Sequence, residues 1–524
     1  MEVNISRIKL DKTSKIFLFY IIICLSVYSY LFLETGTILG ADAGRFAIIS
    51  HIWYLKGITT DLRPYDMPSG FFYFPELILI LSSMEHLGIN PIDGTTILAF
   101  ITSFLTNITF YFLAKKFIGR DKAVHAFFFY SMLFPITLNY AVFGTFNYAF
   151  SILWFYVLAI FSYEIFFEEK NRTILLGLAL LMLALFHIYI IFVLISFLFG
   201  LITYEFVNLR ELKRTKKLIF SYSKAFIIAF ILGIPFLMLF YDYIPVAFDK
   251  RNTIDLLSFT HTRQKESNLY TMLKTIIISP QIGILYSSIY IIAFLFFVVT
   301  IKKFLFENKR LVILYFLIYI IFFNLCAFND LNLQRTTSMV WIPYAMDFGL
   351  ILTNPALNVA TLPIFYFVQS PSPLYLINVF NPTNGAKQVL PYVIWSDYMK
   401  AMDFIKEEVP LNSTFLIDGG GSGCTAVSSS YGERIFPITE RKIFFFTNYC
   451  WAEYNRSDYS ERVDLYRRVS INPDFDVLED IKKYNLTHVF IGPNDIGLKL
   501  EYFVNSTNYE MIYNESGFYI FKIK

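Results

Sequence analysis

Asp42 is the residue whose type and position most favour acid–base chemistry in this sequence. It follows an apolar run from Ile16 to Leu33, long enough to cross a bilayer, and precedes a segment with Phe46, Ile49 and Trp53 at helical spacing. A carboxylate at the start of a helix along a membrane surface can take a proton from a substrate that arrives from either phase. The alternative is that Asp42 only caps the helix by accepting from free backbone N–H groups.

Basic residues in two loops between apolar stretches are candidates for binding an anion. Arg335 lies in a short loop, where a guanidinium can bind two phosphate oxygens at once. The alternative is an interfacial anchor for lipid headgroups. The long loop 241–280 supplies Arg251, His261 and Arg263, which either help to bind the same anion or are the charges that any solvated loop carries.

Three further polar residues are candidates for contacting a substrate. Arg63 and Asp66 lie between two predicted helices, where they either contact substrate hydroxyls or form turns. His187 lies between two apolar stretches, where it either contacts substrate or forms a hydrogen bond between helices. No Cys and His residues have the spacing of a zinc site, so no metal ligand is assigned.

The composition predicts an integral membrane protein. Of its 524 residues, 56% are hydrophobic and 16% are charged, and the mean hydropathy is +0.53. Soluble domains carry about 25% charged residues. The formal net charge of +3 is too small to indicate a nucleic-acid partner.

Basic clusters set the predicted topology, because short cytoplasmic loops are rich in Lys and Arg. The four clusters are Arg7–Lys15, Lys115–Lys122, Arg210–Lys217 and Lys302–Arg310. All four fall on the cytoplasmic side if the stretch 71–87 is a half-embedded helix rather than a full crossing. The sequence then predicts about eleven transmembrane helices, a cytoplasmic N-terminus and an extracytoplasmic C-terminus. The predicted crossings are 16–33, 93–114, 123–143, 147–167, 174–187, 188–207, 218–240, 281–301, 311–328, 338–353 and 358–370.

This topology leaves a first outer loop at 34–92, with helices over 43–56 and 71–87. The chain changes character after the last crossing. We expect a membrane domain over residues 1–385 and a soluble α/β domain over 386–524, because helical and strand patterns alternate there. The pattern predicts helices over 398–408 and 476–484, strands over 414–418 and 488–491, and a hairpin over 509–523. Cys424 and Cys450 lie in this part, and their spacing does not determine whether they are bridged.

The arrangement resembles the GT-C superfamily of membrane glycosyltransferases over nearly the whole chain. The motifs that carry the resemblance are Ala41–Arg45 and Phe72–Pro75 in the first outer loop, Phe186 with His187, and Gln334 with Arg335. The layout is most similar to archaeal and bacterial members with a soluble C-terminal domain, and distantly similar to the catalytic subunit of oligosaccharyltransferase.

The resemblance implies a hexosyl or pentosyl transferase of the cell membrane. Such an enzyme moves a sugar from a polyprenyl (dolichyl) phosphate carrier to a glycan, lipid or protein acceptor on the outer face. It further implies inversion at the sugar with Asp42 as base, binding of the carrier phosphate by Arg335 with Arg251, His261 and Arg263, and contacts to sugar from Arg63, Asp66 and His187.

Two departures from oligosaccharyltransferase stand out. At the place of the WWDYG motif of that family, this chain has Leu416–Gly421, which contains no tryptophan. The outer loop that carries a second acidic motif in that family is Ala141–Asn147 here, and it contains no acid. Both count against an Asn sequon as acceptor and against an obligatory divalent metal held by paired acids, so no cofactor is assigned. Two other functions stay open: a transporter or flippase of lipid-linked substrates, and a catalytically inactive membrane scaffold.

Overall fold

The structure is a computed structural model of the whole chain. It describes residues 11–35, 41–59, 75–132, 146–186, 190–239, 297–301, 308–326, 339, 341–367, 395–417, 432–444, 456–471, 473, 477–493 and 497–524.

The membrane part of the described chain is helical throughout. Its helices are α1 (Lys12–Thr35), α2 (Ala41–Lys56), α3 (Pro75–His86), α4 (Pro91–Ile118), α5 (Arg120–Met132), α6 (Phe146–Phe167), α7 (Thr173–Phe186), α8 (Ile190–Tyr204), α9 (Lys213–Leu239), α10 (Leu311–Cys326), α11 (Trp341–Ile351) and α12 (Pro355–Phe367). A π-helical segment, Glu205–Leu209, extends α8, and a 3-10 turn, Asn308–Arg310, precedes α10.

Five helical segments among the described residues are long and apolar enough to cross a membrane. They are Lys12–Ser29, Pro91–Ile118, Ala149–Phe167, Ile190–Leu209 and Lys213–Met238. Shorter apolar helices lie within α7, α10 and α11. Phe220, Phe226 and Phe230 on α9 are each more than 60% exposed in the isolated chain, which is the surface expected of a helix that faces lipid.

The first two basic clusters meet at one end of the bundle. Arg120, at the start of α5, donates to both carboxylate oxygens of Asp11 at 2.7 and 3.1 Å. Beside this pair, Thr13 donates to Asp121 at 2.6 Å. The N-terminal end of α1 and the α4–α5 junction are therefore joined.

The other two clusters reach the same end through α6. Lys116, near the end of α4, donates to Glu164 at 2.8 Å. Arg214 and Lys309 lie over the ring of Phe167, at 5.9 and 5.4 Å from its centroid. The described residues of all four clusters therefore lie at one end of the bundle, as the predicted topology requires, while the side of the membrane that this end faces stays a prediction.

The α2–α3 pair lies at the opposite end of the bundle. A Cβ atom on Gly94, in the first turn of α4, would lie 3.1 Å from Leu81 and 3.6 Å from Met84, so α3 packs closely on this turn. From Gly94 to Lys116 the helix rises about 33 Å, close to the thickness of a hydrocarbon core. Because α3 has 12 residues, it is too short to cross that layer.

Small residues allow two close helix crossings inside the bundle. A Cβ atom on Gly349 of α11 would lie 2.5 Å from the backbone nitrogen of Ala126 in α5. A Cβ atom on Gly200 of α8 would lie 2.9 Å from the carbonyl oxygen of Val312 in α10. Backbones that approach this closely gain dispersion contacts, which stabilise helix pairs within lipid.

The C-terminal part contains a five-stranded mixed sheet and short helices. Its elements are α13 (Trp395–Glu408), β1 (Thr414–Leu416), α14 (Ile435–Thr439), β2 (Lys442–Ile443), α15 (Arg456–Ile471), α16 (Leu478–Lys483), β3 (His488–Ile491), α17 (Leu500–Val504), β4 (Tyr509–Glu515) and β5 (Phe518–Ile523). The strand order is β2-β1-β3-β5-β4; β1 is parallel to β2 and β3, and β5 is antiparallel to β3 and β4.

The hairpin β4–β5 turns where the sequence predicts it. Ser516 and Gly517 form a two-residue loop, with φ of 52° and 83°. Two consecutive residues with positive φ are typical of the tight turns whose twist matches antiparallel strands.

Two apolar clusters cover the sheet. One contains Leu465 and Val469 of α15 together with Val489 of β3. The other contains Phe415 and Ile520 of the sheet and is continuous with the core of the helical bundle through Phe436. The C-terminal part therefore packs directly against the α2 end of the bundle.

Several predicted elements appear with bounds that differ by a few residues. The helices predicted over 43–56 and 71–87 are α2 and α3, and the strand predicted over 488–491 is β3. Most of the predicted crossing 281–301 lies outside the described residues, as does the predicted boundary between residues 385 and 386, so the count of eleven and that boundary stay predictions. The sequence pattern missed α15 and β2.

We predict that Gly349→Ala destabilises the bundle more than Gly233→Ala does. A methyl group on Gly349 meets the backbone of α5, whereas one on Gly233 meets only Leu181, at 3.4 Å. Overpacking of this kind costs about 1–3 kcal/mol. Thermal unfolding of the purified variants should give a lower midpoint for Gly349→Ala, and equal midpoints would contradict the close crossing of α5 and α11.

Candidate active site at the α2–α3 end

Asp42 lies in the first turn of α2, which begins at Ala41. An N-cap at Asp42 would require the helix to begin at Ala43, so it starts two residues earlier than that role needs. The partial positive charge of a helix N-terminus stabilises a carboxylate in the first turn. The backbone thus places an acid at the end of the bundle away from the basic clusters.

The core of α2 is buried on all sides. Every residue over 46–53 is buried, including Phe46, Ile49 and Trp53, and the indole nitrogen of Trp53 donates to the carbonyl oxygen of Thr59 at 2.9 Å. An amphipathic helix would leave one face exposed, and residues 46–53 have no such face. The position of α2 relative to the membrane surface stays a prediction. α2 packs against α3, α4 and the segment 432–439, so the apolar face predicted from spacing is only part of its buried surface.

A polar cluster between α2 and α3 was not predicted from the sequence. Glu85 of α3 accepts from the hydroxyl group of Ser50 at 3.0 Å and pairs with Nδ1 of His51 at 2.8 Å. All three side chains are buried. The available signal was a His and a Glu inside apolar helical patterns, where an ionisable residue needs a partner.

Glu76, in the first turn of α3, is a second buried carboxyl group near this end. Its Oε2 atom forms no hydrogen bond with any described residue. Burial raises the pKa of Glu76 from its ordinary value to about 8. The group is therefore mostly protonated at neutral pH, and a neutral carboxyl can donate a hydrogen bond.

The C-terminal part contributes a buried cation and an aromatic ring to the same end. Arg434 ends the 3-10 turn Gly432–Arg434, which contacts α2, and its side chain is 1% exposed. Phe436 of α14 meets the ring of His51 edge to face, with 5.4 Å between the ring centroids. Sequence reasoning missed both residues, because neither belongs to a motif.

The other predicted site residues lie outside the described part of the chain, as does the side chain of Asp42. These residues are Arg335, Arg251, His261, Arg263, Arg63, Asp66 and His187. Their roles, and the shared cavity that Asp42 and Arg335 would need, stay predictions. Within the described residues there is no group of three or more His, Cys, Asp or Glu residues arranged to hold a metal ion.

The fold is similar to that of three solved glycosyltransferases. The oligosaccharyltransferase AglB of Archaeoglobus fulgidus matches with a TM-score of 0.55 and 13% identity, over 91% of this chain and 67% of that one. ArnT of Cupriavidus metallidurans, solved with undecaprenyl phosphate, matches with a TM-score of 0.58 and 10% identity, over 98% of both chains. The arabinofuranosyltransferase AftD from Mycobacteria matches with a TM-score of 0.51 and 10% identity, over 97% of this chain and 40% of that one.

No protein-family model and no curated protein sequence matches the chain. The three structural neighbours are GT-C enzymes of the membrane, and the predicted likeness to that superfamily is confirmed at the level of the fold. The chain is a helical membrane protein with a GT-C-like fold.

We predict that Glu76 makes the protein less stable as pH rises. The unfolded carboxyl loses its proton above about pH 4.5, whereas the folded one retains it up to about pH 8. Stability linked to this group is therefore lost between those values and levels off above them. Thermal unfolding from pH 5 to 8 should show a flatter profile for Glu76→Gln than for the wild type. Glu501→Gln, at an exposed glutamate of α17, is the control, and a Glu76→Gln profile parallel to the wild type would contradict the prediction.

Proposed function

We propose that the protein is a membrane glycosyltransferase that moves a sugar from a polyprenyl phosphate carrier to an acceptor on the outer face of the membrane. The observation that carries this proposal is the GT-C-like fold, which extends over 98% of a chain solved with undecaprenyl phosphate. A second neighbour, AglB, has been solved with dolichol phosphate and an inhibitory peptide.

In this proposal Asp42 is the base of an inverting displacement. Its carboxylate takes the proton of the acceptor hydroxyl while the acceptor oxygen bonds to the anomeric carbon, and the bond from that carbon to the carrier phosphate breaks. The phosphate leaves with the electron pair as polyprenyl phosphate. The position of Asp42 in the first turn of α2, at the end of the bundle without the basic clusters, supports this role.

Positive groups would stabilise the leaving phosphate, because negative charge grows on its oxygens as the bond breaks. We assign this role to Arg335, which precedes α11 by a few residues, with help from Arg251, His261 and Arg263. Arg63, Asp66 and His187 would contact the sugar or the acceptor. The acceptor class is a glycan, a lipid or a protein, and no step in this scheme passes through a metal ion.

A transporter or flippase of lipid-linked substrates is the second candidate. Buried polar groups within the bundle favour it to a limited extent: His125 lies 3.1 Å from the hydroxyl group of Tyr20 and 2.9 Å from the amide of Asn358. These groups lie at the end with the basic clusters, since His125 is only five residues after Arg120. The ring of His125, the hydroxyl group of Tyr20 and the amide nitrogen of Asn358 bond to one another, which a structural cluster also requires.

We predict that the purified protein releases free polyprenyl phosphate from a polyprenyl phosphate sugar when an acceptor is present. Asp42→Asn should lower turnover about 10²- to 10⁴-fold, because the acceptor proton loses its base. Its thermal midpoint should stay close to that of the wild type.

Asp93→Asn, which removes an exposed acid from the first turn of α4, is the matched control. A wild type that releases no carrier across a broad donor panel would end the enzyme hypothesis, and movement of intact donor across vesicles would favour the transporter.

We predict that Arg335→Gln raises the KM for the carrier about 10- to 100-fold, because a hydrogen bond to a charged group is lost. Arg335→Lys keeps the charge but loses the two parallel bonds, so its KM should lie between those of the wild type and Arg335→Gln. Steady-state kinetics with varied donor will measure both. An unchanged KM in Arg335→Gln would show that this guanidinium does not bind the carrier.

A further inference from the structure

Glu85 uses both of its carboxylate oxygens to hold two consecutive residues of α2. Oε1 accepts from the hydroxyl group of Ser50 at 3.0 Å, and Oε2 lies 2.8 Å from Nδ1 of His51. Glu85 and His51 are 8% and 7% exposed, and Ser50 is fully buried. Water therefore cannot replace these bonds, and losing one would leave a buried polar atom without a partner.

A second contact joins the two helices close to this bond. The ring of Tyr54, about one turn after His51 on α2, lies 4.9 Å from that of His86, between their centroids. Position 42 lies nine residues before His51, which is about 14 Å back along the axis of α2.

Six of the eight buried residues over 46–53 are apolar, and an apolar contact depends only weakly on direction. Close packing of these side chains limits the movement of α2. The Glu85 carboxylate limits it further, because its two hydrogen bonds favour one rotation and one height of α2 on α3. Because α2 is one continuous helix, the rotation and height set at Ser50 and His51 also apply to its first turn.

His51 is also fixed from its other side. Its ring meets Phe436 of α14 edge to face, and α14 in turn packs on α4. Nε2 of His51 is buried and forms no hydrogen bond with any described residue. An apolar side chain of similar shape would avoid the cost of that buried nitrogen. The His–Glu pair is therefore not explained by stability alone, whereas its directional bond provides a defined geometry.

We propose that Glu85 is a positioning residue, which sets the rotation and height of α2 through Ser50 and His51 and thereby places Asp42 for proton transfer. The effect of Glu85 on turnover rests on the function proposed above, because Glu85 acts through Asp42, the proposed base. Displacing a reacting group by about 1 Å can cost 10²-fold in rate. A small rotation of α2 at His51 is therefore enough to change catalysis without changing how the carrier binds.

Kinetics separates this role from a packing role. Glu85→Gln keeps the shape of the side chain but leaves one carbonyl oxygen to serve two donors. We expect kcat to fall about 10- to 100-fold, with the KM for the carrier within two-fold of the wild type. His51→Asn retains a donor near the place of Nδ1 and should keep more of kcat than His51→Leu. Ser50→Ala removes the bond to Glu85 together with the bond from the same hydroxyl group to the carbonyl oxygen of Ala47, at 2.9 Å within α2. It is the variant to use if Glu85→Gln does not fold.

Two exposed residues of α3 serve as controls. Ser83→Ala removes a hydroxyl group that bonds only within its own helix, and His86→Asn makes the same change as His51→Asn at an exposed position. Both should leave kcat and KM near the wild-type values. Unchanged kcat in Glu85→Gln and in Ser50→Ala, or a raised KM at constant kcat, would overturn the proposal.

A labelling experiment tests the placement without any assay of turnover. The four cysteines of the full-length chain are first replaced by serine, and Asp42→Cys is then introduced. This variant is treated with a membrane-impermeant maleimide. Adding Glu85→Gln, or Ser50→Ala, should change the rate of labelling several-fold, whereas adding Ser83→Ala should not. Equal rates in all of these variants would overturn the positioning role. If the wild type transfers no sugar but the labelling rate changes, the proposed function fails and the control of α2 by Glu85 stands.

Discussion

The thickness of the hydrocarbon layer is the constraint on which the rest of this structure depends. Only segments that satisfy their own backbone hydrogen bonds can cross it, so the crossing chain is helical. α4 rises about 33 Å between Gly94 and Lys116, which places its two ends at two different surfaces. Lys116 pairs with Glu164 at one of them, and α3 packs on Gly94 at the other. Because the charged end cannot enter lipid, the α2–α3 end is held at a fixed height.

At that end, apolar packing and polar bonding have different consequences. Burial of residues 46–53 packs α2 against its neighbours, but each apolar contact depends only weakly on direction. The bonds from Ser50 and His51 to Glu85 favour one rotation more sharply, because hydrogen bonds depend on direction. The segment 432–439 closes over the same helix, so the C-terminal part and the bundle share one interface.

Local patterns predicted much of the fold. Helical spacing predicted α2 and α3. α2 is followed by Gly57 with a φ of 78°, and α3 begins at Pro75, since both residue types act through their own backbone angles. The predicted hairpin is present, and it turns at Ser516 and Gly517, which both have positive φ. In contrast, α15 was missed because its many charged residues hide the apolar positions Leu465 and Val469. Spacing identified an apolar face of α2 but not what covers its other faces.

The sequence by itself determined which segments are apolar enough to cross a membrane, where the basic clusters lie along the chain, and that an acid stands at the start of the second helix. These properties follow from composition and short-range spacing, which act within one or two helical turns. Only the tertiary structure decided that the four clusters meet at one end, that Glu85 holds Ser50 and His51 across a separation of more than thirty residues, and that Phe436 covers His51. Contacts of this kind depend on how helices pack in three dimensions, and one sequence carries no local signal for which distant side chains will meet.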